Sequence, residues 1–294
     1  MNTNKTDAVS REVIEKPPVQ TQFQIFTLFG DYVLPRGGKI WTKDLLYLME
    51  VLGMGERAVR SVLSRLSRNG WLISHREGRQ SQYSLTPKGF ALLEEGARRI
   101  FEPLFSNWDG KWQIVIYSLP EEKRSERHTL RTKLSWFGFG RLAPGTWISP
   151  HNRQQELELV FSDLGVESYV DLFYGPYLSD NSDQDLVKRC WDLERVAVKY
   201  RAFIDRFYLE YDQCQRIVDR NGMPDAEKCF INRYWLTHVF QSLTLEDPNL
   251  PPALLPANWI GLKARTLFDN YRQLLDTSSN QFVDDVMGQQ MIPS

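Results

Sequence analysis

From Phe23 the apolar residues Phe23, Phe26, Leu28, Phe29, Tyr32 and Val33 recur at helical spacing, behind a polar opening of 22 residues that contains Pro17-Pro18. Pro35-Arg36-Gly37-Gly38 breaks the pattern and predicts a turn. Leu45, Leu46, Leu48, Met49 and Leu52 then follow at three- and four-residue steps, with Thr42 as the expected cap and Gly53 as the stop. After Gly53-Met54-Gly55 a third helix is expected from Glu56 to Asn69, ended by Gly70. Two helices joined by so short a glycine-bearing turn outline a helix-turn-helix. Residues 71–76 and 80–85 read as two strands about Glu77-Gly78-Arg79, and Thr86-Pro87 opens a helix to about Ile100. Helices followed by such a hairpin predict a winged helix-turn-helix over residues 23–105.

Beyond Trp108 strands and helices alternate. Strand-like runs at 112–117, 139–142, 146–149 and 168–174 and helical runs at 121–136 and 152–163 give the order βαββαβ. That is the ferredoxin-like plan, expected over residues 106–178, so the fold class is α+β. Residues 179–277 read as a helical domain with runs at 184–213, 226–245 and 262–275. The proline-rich stretch 247–256 is expected to cross the surface in an extended path. Flexible tails are expected at 1–22 and 278–294.

Hydrophobic residues make up 42% and charged residues 25% of 294, which excludes collagen-like and wholly disordered classes. No run approaches 18 apolar residues and the opening lacks a signal-peptide core, so a cytoplasmic chain without a membrane partner is expected. Cys190, Cys214 and Cys229 lie too far apart for a metal knuckle and read as reduced thiols in helices. The net charge of -1 conceals a division along the chain. Residues 36–99 hold twelve Lys/Arg against six acids, whereas residues 100–294 hold 21 bases against 27 acids. A basic segment joined to an acidic remainder suits a polyanion bound at one end.

On a helical wheel Val59, Val62, Leu63 and Leu66 share one side of the third helix, while Arg57, Ser61, Ser64 and Arg68 oppose them, flanked by Arg60 and Arg65. The basic side fits a DNA major groove, where Arg bonds guanine edges and Ser bonds bases or phosphates. Arg57, Ser61 and Ser64 are the candidate base readers; Arg60, Arg65 and Arg68 suit mixed or phosphate contacts. The hairpin tip offers Arg76, Arg79 and Gln80 as a wing, and Lys43 suits a phosphate grip at the preceding helix. The four histidines are dispersed, and no nucleophile elbow, P-loop or complete dinucleotide fingerprint occurs, so no enzyme, metal or cofactor is expected.

Longer words carry a further signal. They include Gly30-Asp31-Tyr32, Pro35-Arg36-Gly37-Gly38-Lys39-Ile40-Trp41, Gly55-Glu56-Arg57-Ala58-Val59-Arg60-Ser61-Val62-Leu63-Ser64-Arg65-Leu66 and Tyr83-Ser84-Leu85-Thr86-Pro87-Lys88-Gly89. With Trp108-Asp109-Gly110-Lys111-Trp112, Leu142-Ala143-Pro144-Gly145 and Leu254-Leu255-Pro256-Ala257-Asn258-Trp259, they resemble the PaaX family of phenylacetic-acid-degradation repressors. The resemblance implies a winged helix, a Cas2-like ferredoxin domain and a C-terminal helical domain. It further implies a homodimer on palindromic double-stranded operators, released by an aryl-CoA thioester such as phenylacetyl-CoA. Arg195, Lys199, Arg233 and Arg265 are open candidates for CoA phosphates. The rivals are a Cas2-like metal nuclease, although this chain has Tyr117-Ser118 where those nucleases carry an Asp at the end of the first strand, and a protein-binding adaptor.

Overall fold

Glycines in the left-handed region end the N-terminal helices where side chains would strain the backbone. The computed structural model describes residues 20–101, 108–220 and 222–288. In it Gly53 (φ 84°) follows α2 (Thr42–Val51) and Gly70 (φ 70°) follows α3 (Glu56–Arg68). Before them come α1 (Gln20–Leu28), a π-helical turn over Phe29–Val33 and a short 3-10 turn, Leu34–Arg36. The hairpin β2 (Leu72–Glu77) and β3 (Gln80–Leu85) pairs antiparallel with Glu77 opposite Gln80, and α4 (Pro87–Phe101) follows.

Two local expectations need correction. Beyond the turn at 35–38 lies a strand, β1 (Lys39–Trp41), which pairs with β3 to give the sheet order β1-β3-β2. Three residues carry no periodicity of their own, and the distant partner strand makes them a strand. Thr42 does not cap α2; Trp41 holds the N-cap position, and the Thr42 hydroxyl donates to the Ser81 carbonyl of β3 at 2.8 Å. Thr86 does cap its helix, accepting from the Gly89 amide at 3.1 Å.

The central part comprises β4 (Lys111–Tyr117), α5 (Arg124–Trp136), β5 (Gly140–Ala143), β6 (Thr146–Ser149), α6 (Gln154–Leu164) and β7 (Val170–Pro176). All pairs are antiparallel in the order β5-β6-β4-β7, the ferredoxin-like arrangement. Strand alternation sends Val115 and Trp147 to one face, where Leu130 and Leu134 of α5 and Leu157 and Phe161 of α6 cover them. Trp112 and Ile148 belong to a second cluster with Leu186 and Val187 of α7 (Asp183–Cys190) and with Leu250 and Leu254. The proline-rich stretch crosses the surface with Pro252, Ala253 and Pro256 exposed, but it turns Leu250 (1% exposed) and Leu254 (2%) inward as a strap and includes a 3-10 turn, Pro252–Leu254, so its path is not extended throughout. Proline forbids a continuous helix but leaves the intervening leucines free to pack.

The run expected at 184–213 is two helices, α7 and α8 (Leu193–Asp219), parted by the extended Trp191. Its indole N–H donates to the Gly138 carbonyl at 3.1 Å, and its ring fills the space a Cβ on Gly140 would enter at 2.5 Å. Helix α9 (Ala226–Thr244) matches expectation. Helix α10 (Ile260–Gly288) does not: where a flexible tail was expected from 278, it continues with Ser278, Ser279 and Val283 buried. Two serines on the buried stripe hide the period that burial follows. Of the polar opening, residues 20–22 belong to α1; residues 1–19 and 289–294 lie outside the described residues.

Backbone contacts gather residues through Phe101 with Arg201–Gln241 and those from Gly261 into one unit, and Glu102–Tyr200 with Ser242–Ile260 into another. The first unit thus unites the winged helix with most of the C-terminal helices. Phe230, Tyr234 and Val283 share its core with Phe29, Tyr32, Leu45 and Leu63. Polar links accompany them: Arg272 pairs with buried Asp31 at 2.8 Å, Arg233 with Asp276 at 3.1 Å, and Arg36 with Asp284 at 2.7 Å.

His238 of α9 lies in this core, its Nδ1 3.1 Å from the Thr27 hydroxyl of α1. Burial, aided by the Arg206 charge, holds its imidazole down to about 4. As pH falls through about 6.5 the unfolded chain takes up a proton that the folded chain refuses until about pH 4. Stability therefore drops by roughly 3 kcal/mol across that window from this group. Urea titrations from pH 7 to 4 should show the decline, with a shallower slope in His238→Gln.

Candidate nucleic-acid interface

Helix α3 divides by side. Val59, Val62, Leu63 and Leu66 are buried, none more than 5% exposed, whereas Arg57, Arg60, Ser61, Ser64, Arg65 and Arg68 are all exposed. Hydrophobic burial of the first set fixes the direction of the second. At the wing, residues 73–80 are exposed without interruption, Arg76, Arg79 and Gln80 among them. Lys43 is exposed in the first turn of α2. All ten candidate residues face solvent on one winged helix.

The local electrostatics leave most of that charge available. Arg60 pairs with Glu56 one turn earlier at 2.7 Å, both side chains being more than half exposed, and such surface pairs contribute little. Arg76 donates to the Gly78 carbonyl at 3.2 Å, which folds it back along the hairpin tip. Among the described residues Arg57 and Arg68 form no ion pair. Arg65 and Arg68 stand in the last turn of α3, where the helix dipole favours positive charge.

A clamp at the C-terminal end of α3 escaped the sequence reading. The Thr86 hydroxyl donates to the Gly70 carbonyl at 2.6 Å, and Lys88 donates to the Asn69 carbonyl at 3.1 Å while its ammonium sits 4.2 Å above the Trp71 ring. Gly89 approaches so closely that a Cβ there would lie 2.2 Å from the Trp71 carbonyl oxygen. The start of α4 thereby fixes where α3 ends. The only written hint was the word Thr86-Pro87-Lys88-Gly89, whose contacts depend on a chain reversal through the whole hairpin.

The four cations considered for CoA phosphates are otherwise engaged. Arg195 and Lys199 both meet Glu246, Arg233 meets Asp276, and Arg265 meets Asp269 at 2.9 Å. A cavity of about 470 Å³ at the end of α7 is lined by Lys188, Arg189, Trp191 and Pro256 among others. Among the described residues no group of three His, Cys, Asp or Glu side chains is placed to hold a metal. The cysteines are free, and burial pushes the Cys190 thiol up to about 11.

Comparison with known proteins supports the same ordering of parts. Residues 20–89 match the family described as PaaX-like protein, residues 106–187 the PaaX protein central Cas2-like domain, and residues 191–285 the PaaX-like protein C-terminal domain. The chain belongs to the PaaX family. Transcriptional repressor PaaX of Escherichia coli (strain K12) is 33% identical over 285 residues, covering 96% of this chain and 89% of that protein. The uncharacterized protein Rv0674 from Mycobacterium tuberculosis shares the fold with a TM-score of 0.59 at 21% identity, covering 91% of this chain and 98% of its own. The PaaX relative is a regulator and no enzyme, in line with the expectation from sequence. No helix among the described residues is long and apolar enough to cross a membrane.

If the clamp sets α3, Gly89→Ala should be costly by roughly 1 to 3 kcal/mol, since backbone must move to admit the methyl group. Gly55→Ala, with negative φ and nothing within 4 Å of its added Cβ, should change stability by well under that amount. Chemical denaturation of the two variants compares them directly.

Proposed function

We propose that this PaaX-family chain is a sequence-specific DNA-binding repressor of aromatic-acid catabolism genes of the phenylacetate type, acting in the cytoplasm. The observation that carries the reading is the continuous solvent-facing surface formed by Arg57, Arg60, Ser61, Ser64, Arg65 and Arg68 on α3, beside the Arg76-to-Gln80 wing. In this reading Arg57, Ser61 and Ser64 read bases, the remaining α3 arginines and Lys43 take mixed or phosphate contacts, and the wing reaches backbone or minor groove. A homodimer sets two copies of α3 about one helical turn apart, roughly 34 Å, to match a palindrome. The acidic remainder confines non-specific contact to the basic end.

An aryl-CoA thioester is the proposed effector, not a cofactor. It releases DNA only by binding the DNA-incompetent state more tightly, since equal affinity for both states shifts nothing. The cavity at the end of α7 offers the Arg189 guanidinium and the Trp191 ring to such a ligand, although Asp192 and Glu194 share its wall and Lys188 is paired with Asp185 at 3.2 Å.

Mobility-shift titration on the DNA upstream of the protein's own coding region tests the reading. Arg57→Ala and Arg60→Ala should each lose roughly 1 to 3 kcal/mol of operator binding with folding intact, and wild-type affinity should fall steeply with salt. Unchanged affinity in both variants overturns the assignment of α3. A salt-insensitive protein complex in place of a DNA complex favours the adaptor. Addition of phenylacetyl-CoA should dissociate the DNA complex, and Arg189→Glu should raise the concentration required.

A further inference from the structure

Inside the first unit, α8, α9 and α10 enclose a cavity of about 410 Å³ that the DNA-binding reading does not use. Its volume is in the range of small-molecule sites. Ile217, Pro224 and Leu275 supply an apolar wall, and Glu210, Asp225 and Lys228 bring two carboxylates and one ammonium to the same space. Asp225 already accepts from the Lys228 backbone amide at 2.7 Å, as the N-terminal cap of α9, which fixes that carboxylate in place. Among the described residues the Lys228 ammonium forms no ion pair; Glu210 feels the charge of Arg206, one turn earlier on α8, and then that of Lys228.

The lining excludes several occupants. Cys214 and Cys229 share the wall, but burial raises both thiols, Cys229 to about 11, so they stay neutral and behave as small apolar groups. No metal-holding group of side chains occurs among the described residues. A CoA ester carries several phosphate charges, and a single lysine opposed by two carboxylates repels more than it attracts. A simple cation offers Lys228 no contact, and a simple anion offers none to Glu210, which Arg206 partly offsets, or to Asp225, which the Lys228 amide already meets. A molecule with both charges and an apolar body matches all three groups.

We propose that this cavity binds a free α-amino acid with an aliphatic side group, its ammonium facing Glu210 and Asp225, its carboxylate facing Lys228, and its side group against Ile217, Pro224 and Leu275. The site is independent of the DNA-binding reading and of the proposed CoA effector. It borders the contact between α9 and α10, because Leu275 precedes the Asp276 that holds Arg233, whose guanidinium also lies over the Tyr32 ring.

Isothermal titration calorimetry on the full chain tests the proposal with three probes of one shape: L-leucine, 3-methylbutylamine and 4-methylpentanoate. L-leucine should bind with a millimolar or tighter Kd, and each singly charged analogue roughly tenfold or more weakly, because each forfeits a charge-assisted contact. Lys228→Met should weaken L-leucine binding by about tenfold at unchanged melting temperature of the free protein, and Glu210→Gln provides a second variant should the first fail to fold. Absence of any leucine heat at millimolar concentrations overturns the site. So does equal binding of leucine and the amine, or undiminished leucine binding by whichever variant folds. None of these measurements involves DNA, so failure here leaves the repressor reading intact, and failure to bind an operator leaves this site intact.

Discussion

Burial of one stripe of α3 is the constraint on which the interface depends. Four aliphatic side chains, Val59, Val62, Leu63 and Leu66, each withdraw most of their surface from water, contributing about 1.5 to 3 kcal/mol apiece. No rotation of the helix that exposes them competes with that sum. The arginines and serines on the far side are thereby held toward solvent. The clamp from Thr86 and Lys88 adds direction to this, setting the end of the helix as its buried side sets its roll.

A different kind of interaction ties this module to the C-terminal helices. Asp31 is buried, and the Arg272 guanidinium that meets it is partly exposed, so the pair keeps one foot in water. Arg233 is 4% exposed, between Asp276 and the face of the Tyr32 ring 4.9 Å away. Removing one member of such a pair leaves a charge without its partner in a poorly hydrated place, which is far costlier than replacing both by apolar groups. Ion pairs of this sort specify which surfaces meet more than they add net stability, and here Arg272 and Asp31 join segments 241 residues apart in sequence.

The winged helix was legible from sequence because its signals are local. Gly53, Gly70 and Gly78 do lie in the left-handed region, and the wheel separates the buried and exposed sides of α3 as the coordinates do. The βαββαβ order was legible for the same reason. What escaped depends on partners far along the chain. Strand β1 exists through its pairing with β3, the strap around Leu250 and Leu254 exists through the uncovered face of the central sheet, and the end of α10 is held by the N-terminal core. Serines at 278 and 279 are small enough to be buried there, and no periodicity of apolar residues announces them. The cations at 195, 199, 233 and 265 look available in sequence, and only the folded chain reveals their acidic partners.

Arg36 has a consequence for how the chain is made. It bonds the Tyr32 carbonyl, the Asn280 carbonyl and side chain, and Asp284, so it joins the turn before β1 to α10. During synthesis the first helices leave the ribosome long before Phe230, Tyr234 or Val283 exist to cover them. The N-terminal module stays partly uncovered until α9 and α10 have been made, and contacts of such long sequence separation close slowly. The finished fold is thus coupled to synthesis of α10, and a chain terminated before that helix would carry its basic helix on an unfinished core.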